Sequence, residues 1–285
     1  RLAFCLGREH SEGRLHIRSG ACDVTGPAAV DLTPDGAGLL LGRADRTVIR
    51  FAVADGAEAW RASAPDEHRG QRYALEALAV SPDGRLVAMG GRKTGGVRLL
   101  DALTGALVGT TSETFTQWVK DIAWAPDGRH FATAEPSWVK VWDTRSGLET
   151  LRFDGRADCV AWSPLGDVLA AGLPGGVIAL YEPKRGVTLR TFAVTDLGLI
   201  KRICWSATGD KLAAAGESDT VSVVDVAAGR VTGFAIPGGF GASDGPSRRC
   251  VMPGGLCWSP TGGHVAASGR FHVYVWDLAT SERVA

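Results

Sequence analysis

The residues able to do covalent or metal chemistry are scattered along this chain, and none falls in a spacing that such chemistry needs. The six histidines, His10, His16, His68, His130, His264 and His272, contain no HExxH pair of the kind that sets two imidazoles and a general base on one helix face. The six cysteines, Cys5, Cys22, Cys159, Cys204, Cys250 and Cys257, form no CxxC pair, so no zinc or disulfide framework is indicated. The glycine-rich stretches Gly90–Gly96 and Gly238–Gly245 lack the lysine of a phosphate loop and read as turns. Asp121 and Asp158 could face a shared channel and hold a metal, but two scattered acids are few for that task. No catalytic residue, no metal ligand and no cofactor is expected.

What the chain does offer is aromatic and cationic side chains in connecting segments. Trp118 precedes one apolar run and Trp138 another, and large aromatics in loops serve as interface anchors. Around equivalent positions stand Tyr73, Arg92, Lys93, Arg156, Lys201, Arg270 and Phe271, with Arg43, Arg72, Lys120, Arg202, Arg248, Arg249 and His272 nearby. Arginine meets carboxylate or phosphate through two parallel hydrogen bonds, so such a face suits an acidic peptide or protein. Two plainer readings stand beside this one. Trp118 and Trp138 would cover each other as a local loop core, and arginine would be the solubilising cation used throughout.

The elements that position these residues are clearest between Asp121 and Asp143, DIAWAPDGRHFATAEPSWVKVWD. Three runs rich in β-formers, Ile122–Trp124, His130–Thr133 and Val139–Trp142, are separated by the turn Ala125–Gly128 and the gap Ala134–Ser137. Proline presets φ at the second turn position and glycine is the usual exit residue. Strands this close can only return antiparallel, since a parallel return needs a long crossover. On this reading Trp138 lies in the turn before the third strand.

The pattern repeats. Turns TPDG, SPDG, APDG, SPLG, SATG and SPTG place their second residues at 34, 82, 126, 164, 207 and 260, in steps of 48, 44, 38, 43 and 53. Before each turn sits an apolar residue, Leu32, Val80, Trp124, Trp162, Trp205 or Trp258. After each comes a small-residue strand, and in most repeats a strand closing on an acid, as in VRLLD at Asp101, VKVWD at Asp143, VSVVD at Asp225 and VYVWD at Asp277. A period near 40–45 with a Trp-Asp signature is that of four-stranded propeller blades. The chain resembles the WD40-repeat β-propeller family over essentially its whole length, on Trp142-Asp143, Trp276-Asp277, the repeated turns and the spacing.

The resemblance implies an all-β propeller of four-stranded antiparallel blades, expected here as seven with six the alternative. Residues 1–27 make a partial first blade lacking its inner strand, with Leu2–Gly7, Arg14–Arg18 and an edge segment Ala21–Val24 as its strands. Repeats follow at 28–75, 76–119, 120–157, 158–200, 201–253 and 254–285. The connections bearing Trp118 and Trp138 would open on one face and set the two side by side. The family's buried Asp-His-Ser/Thr-Trp tetrad is expected to be missing from most blades, leaving more to apolar packing. Trp124, Trp162, Trp205 and Trp258 are expected to be packing residues between blades. Propellers host many unrelated activities, and bacterial ones resembling this chain are often appended to kinases, signalling NTPases or proteases as sensing domains. A protein-binding scaffold or sensor is the reading this gives; a channel-metal enzyme and nucleic-acid binding are the alternatives.

Composition bounds these readings. Lys plus Arg and Asp plus Glu both total 31, so no bulk field draws the chain to nucleic acid or an anionic membrane. No apolar run reaches the roughly 18 residues of a membrane helix. The unpaired cysteines fit a reducing, cytoplasmic setting, and the Arg-, Ala- and Gly-rich composition points to a GC-rich bacterial source. The start at Arg1 without methionine suggests a piece of a longer polypeptide, whose other domains would be further partners. The stretch Thr232–Gly255 is expected to be a mobile or binding loop.

Overall fold

The computed structural model describes residues 15–17, 20–22, 27–43, 45–63, 74–92, 96–112, 118–194, 197–236, 255–268 and 272–284. Among these, all regular structure of any length is β-strand. A two-stranded piece pairs β1 (Leu15–Ile17) with β2 (Gly20–Cys22). Four-stranded antiparallel meanders follow: β3 (Pro27–Leu32), β4 (Gly38–Arg43), β5 (Thr47–Ala52) and β6 (Glu58–Ser63); then β7 (Ala74–Val80), β8 (Leu86–Arg92), β9 (Arg98–Asp101) and β10 (Leu107–Thr110). The next is β11 (Asp121–Trp124), β12 (His130–Ala134), β13 (Trp138–Asp143) and β14 (Glu149–Asp154). After it come β15 (Cys159–Trp162), β16 (Leu169–Leu173), β17 (Val177–Glu182) and β18 (Val187–Ala193), and β19 (Ile200–Trp205), β20 (Lys211–Gly216), β21 (Thr220–Asp225) and β22 (Val231–Ala235). A last sheet has β23 (Leu256–Trp258), β24 (His264–Ser268) and β25 (Val273–Asp277), with a lone bridge from Trp276 to Arg283 beside it.

The expected turns join first to second strands, and their glycines carry the geometry. Gly36, Gly84, Gly128, Gly166, Gly209 and Gly262 all have φ between 66° and 75°, the left-handed region that a Cβ disfavours. The first turn residue closes the hairpin, as where Ser81 N–H donates to Leu86 C=O at 2.9 Å. At Thr33, Ser81, Ser206 and Ser259 the hydroxyl oxygen accepts the N–H that opens the second strand, as from Leu86 to Ser81 at 2.9 Å and from Lys211 to Ser206 at 3.0 Å.

Second strands are enclosed on both faces, and small residues let flanking sheets approach. In β20, Leu212 through Ala215 are fully buried, as are Phe131 and Ala132 in β12. The apolar cores lie between successive sheets. One joins Ala77, Ala88 and Leu99 to Val119, Ile122, Trp124, Phe131 and Trp142. Another joins Cys159, Ile178, Leu180 and Phe192 to Ile200, Ile203, Leu212 and Val224. Outer strands are exposed, β18 at nearly every residue.

The described residues fall into two compact units. The first spans Arg8–Pro136 and Lys140–Arg152; the second holds Ser137–Val139 and Phe153–Ala285. Most of the expected partial first blade, including Leu2–Gly7, and residues 237–254 of the expected long loop lie outside the described residues.

Candidate functional site

In the first unit, three segments meet around Trp118. Its indole N–H donates to Glu76 Oε2 at 2.5 Å, Glu76 standing near the start of β7. The Arg92 guanidinium, at the end of β8, lies 5.0 Å from the indole centroid, and Lys120 Nζ lies 5.1 Å from it. The backbone fixes this arrangement: Trp118 and Arg92 form an antiparallel bridge, and Val119 N–H donates to Gly91 C=O at 3.1 Å. The glycine at 90 has a packing cause, since a Cβ there would lie 2.8 Å from Val119 Cγ1. Val119 is fully buried and moors the segment, while Trp118 stays half-exposed and Arg92 exposed. Two cations thus lie over one indole whose N–H is held by the Glu76 carboxylate. Among the described residues, no carboxylate pairs with Arg92.

In the second unit the basic residues Arg156 and Lys201 meet Asp158, which is only 8% exposed at the entry to β15. Lys201 Nζ is hydrogen-bonded to Asp158 Oδ2 and lies 3.9 Å from Glu217 Oε1, and Arg156 Nε lies 3.5 Å from Asp158 Oδ1. Their charge is answered inside the chain, unlike that of Arg92. Asp158, which the sequence offered only as a channel-lining acid, stands 43 positions from Lys201.

Comparison with known proteins fits this architecture. Residues 105–143, from the turn before β10 to the end of β13, match the family described as "WD domain, G-beta repeat". The chain is 34% identical over 143 residues to "Cell division cycle 20.1, cofactor of APC complex" of Arabidopsis thaliana, covering 45% of this chain and 29% of that protein. It is 25% identical over 162 residues to "Meiotic fizzy-related protein 2" of Schizosaccharomyces pombe, covering 54% and 31%. The chain thus spans about three-tenths of the length of these curated relatives. Among solved structures it superposes on "Kuenenia stuttgartiensis Hydrazine Synthase" with a TM-score of 0.72 at 17% identity, over 90% of this chain and 78% of that one. Residues 105–143 thus carry a WD40 repeat, and the fold is that of a β-propeller.

Of the four inner-strand tryptophans, Trp124, Trp205 and Trp258 pack against the preceding sheet, as their spacing suggests, while the buried Trp162 Nε1 finds no hydrogen-bond partner among the described residues. Trp124 Nε1 donates to Ala79 C=O at 3.0 Å, Trp205 to Ala161 C=O at 3.0 Å and Trp258 to Cys204 C=O at 3.1 Å. Each thus reaches the inner strand of the preceding sheet. The β7 strand carries Val80 instead of tryptophan, and there Asp31 of β3 accepts the Val80 N–H at 2.7 Å.

At the WD40 repeat around Trp142 a different buried polar network stands in place of the tetrad. Trp142 Nε1 donates to Thr133 Oγ1 at 3.0 Å, and Thr133 Oγ1 donates to Glu135 Oε1 at 3.1 Å. Lys140 Nζ then lies 3.3 Å from Glu135 Oε2 and 3.8 Å from Glu149 Oε2. All four of Thr133, Glu135, Lys140 and Trp142 are buried. A Trp–Thr–Glu–Lys chain here satisfies the indole that the family tetrad would satisfy. The missed signal was Glu135 and Lys140, two charges that the hairpin between β12 and β13 brings together.

Trp138 also differs from its expected place: it is the first residue of β13, half-buried, rather than a turn residue. Pro136 and Ser137 complete the turn before it, and Ser137 C=O accepts the Gly155 N–H at 3.0 Å. Trp118 and Trp138 fall in different units. Tyr73, Lys93, Arg270 and Phe271 lie outside the described residues. Among the described residues no group of three His, Cys, Asp or Glu side chains could hold a metal ion. No described helix is long and apolar enough to cross a membrane.

Proposed function

We propose that this propeller is a non-catalytic binding module that engages a protein or peptide partner at the Trp118 platform, as one part of a larger cytoplasmic polypeptide. The observation that carries the reading is the Trp118 arrangement itself. Its indole is held by Glu76 and the Arg92 bridge, yet it presents a half-exposed ring and an exposed guanidinium to solvent. A preorganised aromatic costs little conformational entropy on binding, and Trp and Arg dominate the energetics of protein interfaces. The relatives support an interaction role through their names, one being called the cofactor of a complex. The structural neighbour named as a synthase shares the fold, and a fold by itself does not assign an activity.

The test is quantitative affinity capture from the organism's lysate with the wild-type chain and with Trp118→Ala, after matching their melting curves. The reading expects at least one partner retained by the wild type and lost by the variant. Identical partner sets, or none, would overturn the placement of the site.

A further inference from the structure

We infer that the Arg92–Trp118 pair receives a carboxylate from an acidic, extended peptide segment, a reading that rests on the interaction role proposed above. The guanidinium takes the carboxylate through two parallel N–H donors, and an apolar neighbour on the peptide lies against the exposed part of the indole. Three observations point to this occupant. Stacking 5.0 Å from the ring centroid orients the planar guanidinium, so less freedom is lost when it binds. Lys120, 5.1 Å from the same centroid, adds a second positive charge. Lastly, basic residues elsewhere in this molecule already hold carboxylates: Arg61 with Glu58, Arg152 with Glu149, Arg185 with Glu182, and Lys201 with Asp158. Arg92 is exposed and has none among the described residues, which leaves its two N–H donors open to a carboxylate.

The chemistry favours a peptide over a nucleic acid. A phosphate backbone is followed by a track of cations and gives a binding constant that falls steeply with salt. Here two cations flank a single indole in a chain whose formal net charge is zero.

The experiment selects displayed random linear peptides on the full chain. The best are then synthesised with fluorescein in acid form and with each Asp or Glu changed to its amide. Binding is followed by anisotropy for the wild type, Arg92→Met, Trp118→Ala and the control Arg145→Met, an exposed arginine in the turn after β13. The inference expects Asp and Glu to be enriched, and about a tenfold weakening from either the amide change or Arg92→Met. The two changes together should weaken binding little more than one alone, since they remove the same contact. Arg145→Met should be silent.

A selection yielding no peptides or no acidic enrichment overturns the inference, as does Arg92→Met binding both forms within twofold of wild type. Displacement of the peptide by a single-stranded oligonucleotide at equal concentration also overturns it. If Trp118→Ala abolishes binding while Arg92→Met and the amide change are silent, the platform stands and the carboxylate reading falls. If Trp118→Ala is silent as well, the proposed site falls with it.

Discussion

Lys140 Nζ lies 3.3 Å from Glu135 Oε2, with the two side chains only 4% and 3% exposed. Taking a charge out of water is costly, so each depends on the other, on Thr133 and on the edge contact to Glu149. Lys140→Met removes the glutamate's buried cation and should cost about 3–5 kcal/mol in urea unfolding. Adding Glu135→Gln, which still accepts from Thr133, should recover most of that loss. A single variant within about 0.5 kcal/mol of wild type, the range of ordinary surface changes, would show that water reaches the pair.

Asp31 gives a pH dependence of unusual sign. Burial is the main cause that lifts its carboxyl from the ordinary 3.8 to about 6, against the hydrogen bonds it accepts from Val80 and Leu32. The folded chain therefore holds this proton more tightly than the unfolded chain. Between about pH 4 and 6 stability falls as pH rises, by up to about 1.4 kcal/mol per unit, and is level above. Asp101, Asp143 and Asp277 run the other way. Hydrogen bonds, led by the Thr104 hydroxyl, the Ser146 N–H and the Thr280 N–H respectively, hold them below the usual carboxylate range, so their contribution is lost as pH falls. Asp31→Asn should remove the first trend alone. Urea midpoints of variant and wild type that stay parallel from pH 4 to 7 would contradict it.

Ser281 occupies a glycine position. Gly105, Gly147 and Gly229 follow Asp101, Asp143 and Asp225 by four residues, with φ of 74°, 67° and 70°. Ser281 follows Asp277 by the same step with φ 59°, a strained conformation for a residue with a Cβ. Ser281→Gly should stabilise by about 0.5–1 kcal/mol, once the greater freedom of glycine in the unfolded chain is set against the relief. Gly147→Ala should be the more damaging opposite, because its Cβ would come 2.5 Å from Thr110 C=O. A thermal melt unchanged in both variants would remove the argument.

These cases also show what the sequence carried. The six turns were legible because glycine marks a backbone φ that few residues tolerate. Trp124, Trp205 and Trp258 were legible because their place before each turn repeats. Contacts set by sheets meeting sheets were not. Asp158 answers Lys201 across 43 positions, and Asp31 reaches Val80 across 49, with no local pattern to announce either. Trp138 was assigned to a turn because Pro136 punctuates the segment, yet β13 begins two residues later. Glu135 and Lys140 looked like ordinary polar hairpin residues, since burial of both depends on the packing above them. For the candidate site, Trp118 and Arg92 were named from residue type alone, and their stacking and bridge came only with the fold.

The central claim is that partners dock on the Trp118 platform. The most direct measurement installs a photo-cross-linking amino acid at Arg92 and, separately, at Leu165, an exposed turn residue at the opposite end of its own sheet's inner strand from Asp158. Irradiation in cells should give adducts from position 92 that disappear with Trp118→Ala, and few from position 165. Adducts from 165 in place of 92, or adducts at 92 indifferent to Trp118, would contradict the account.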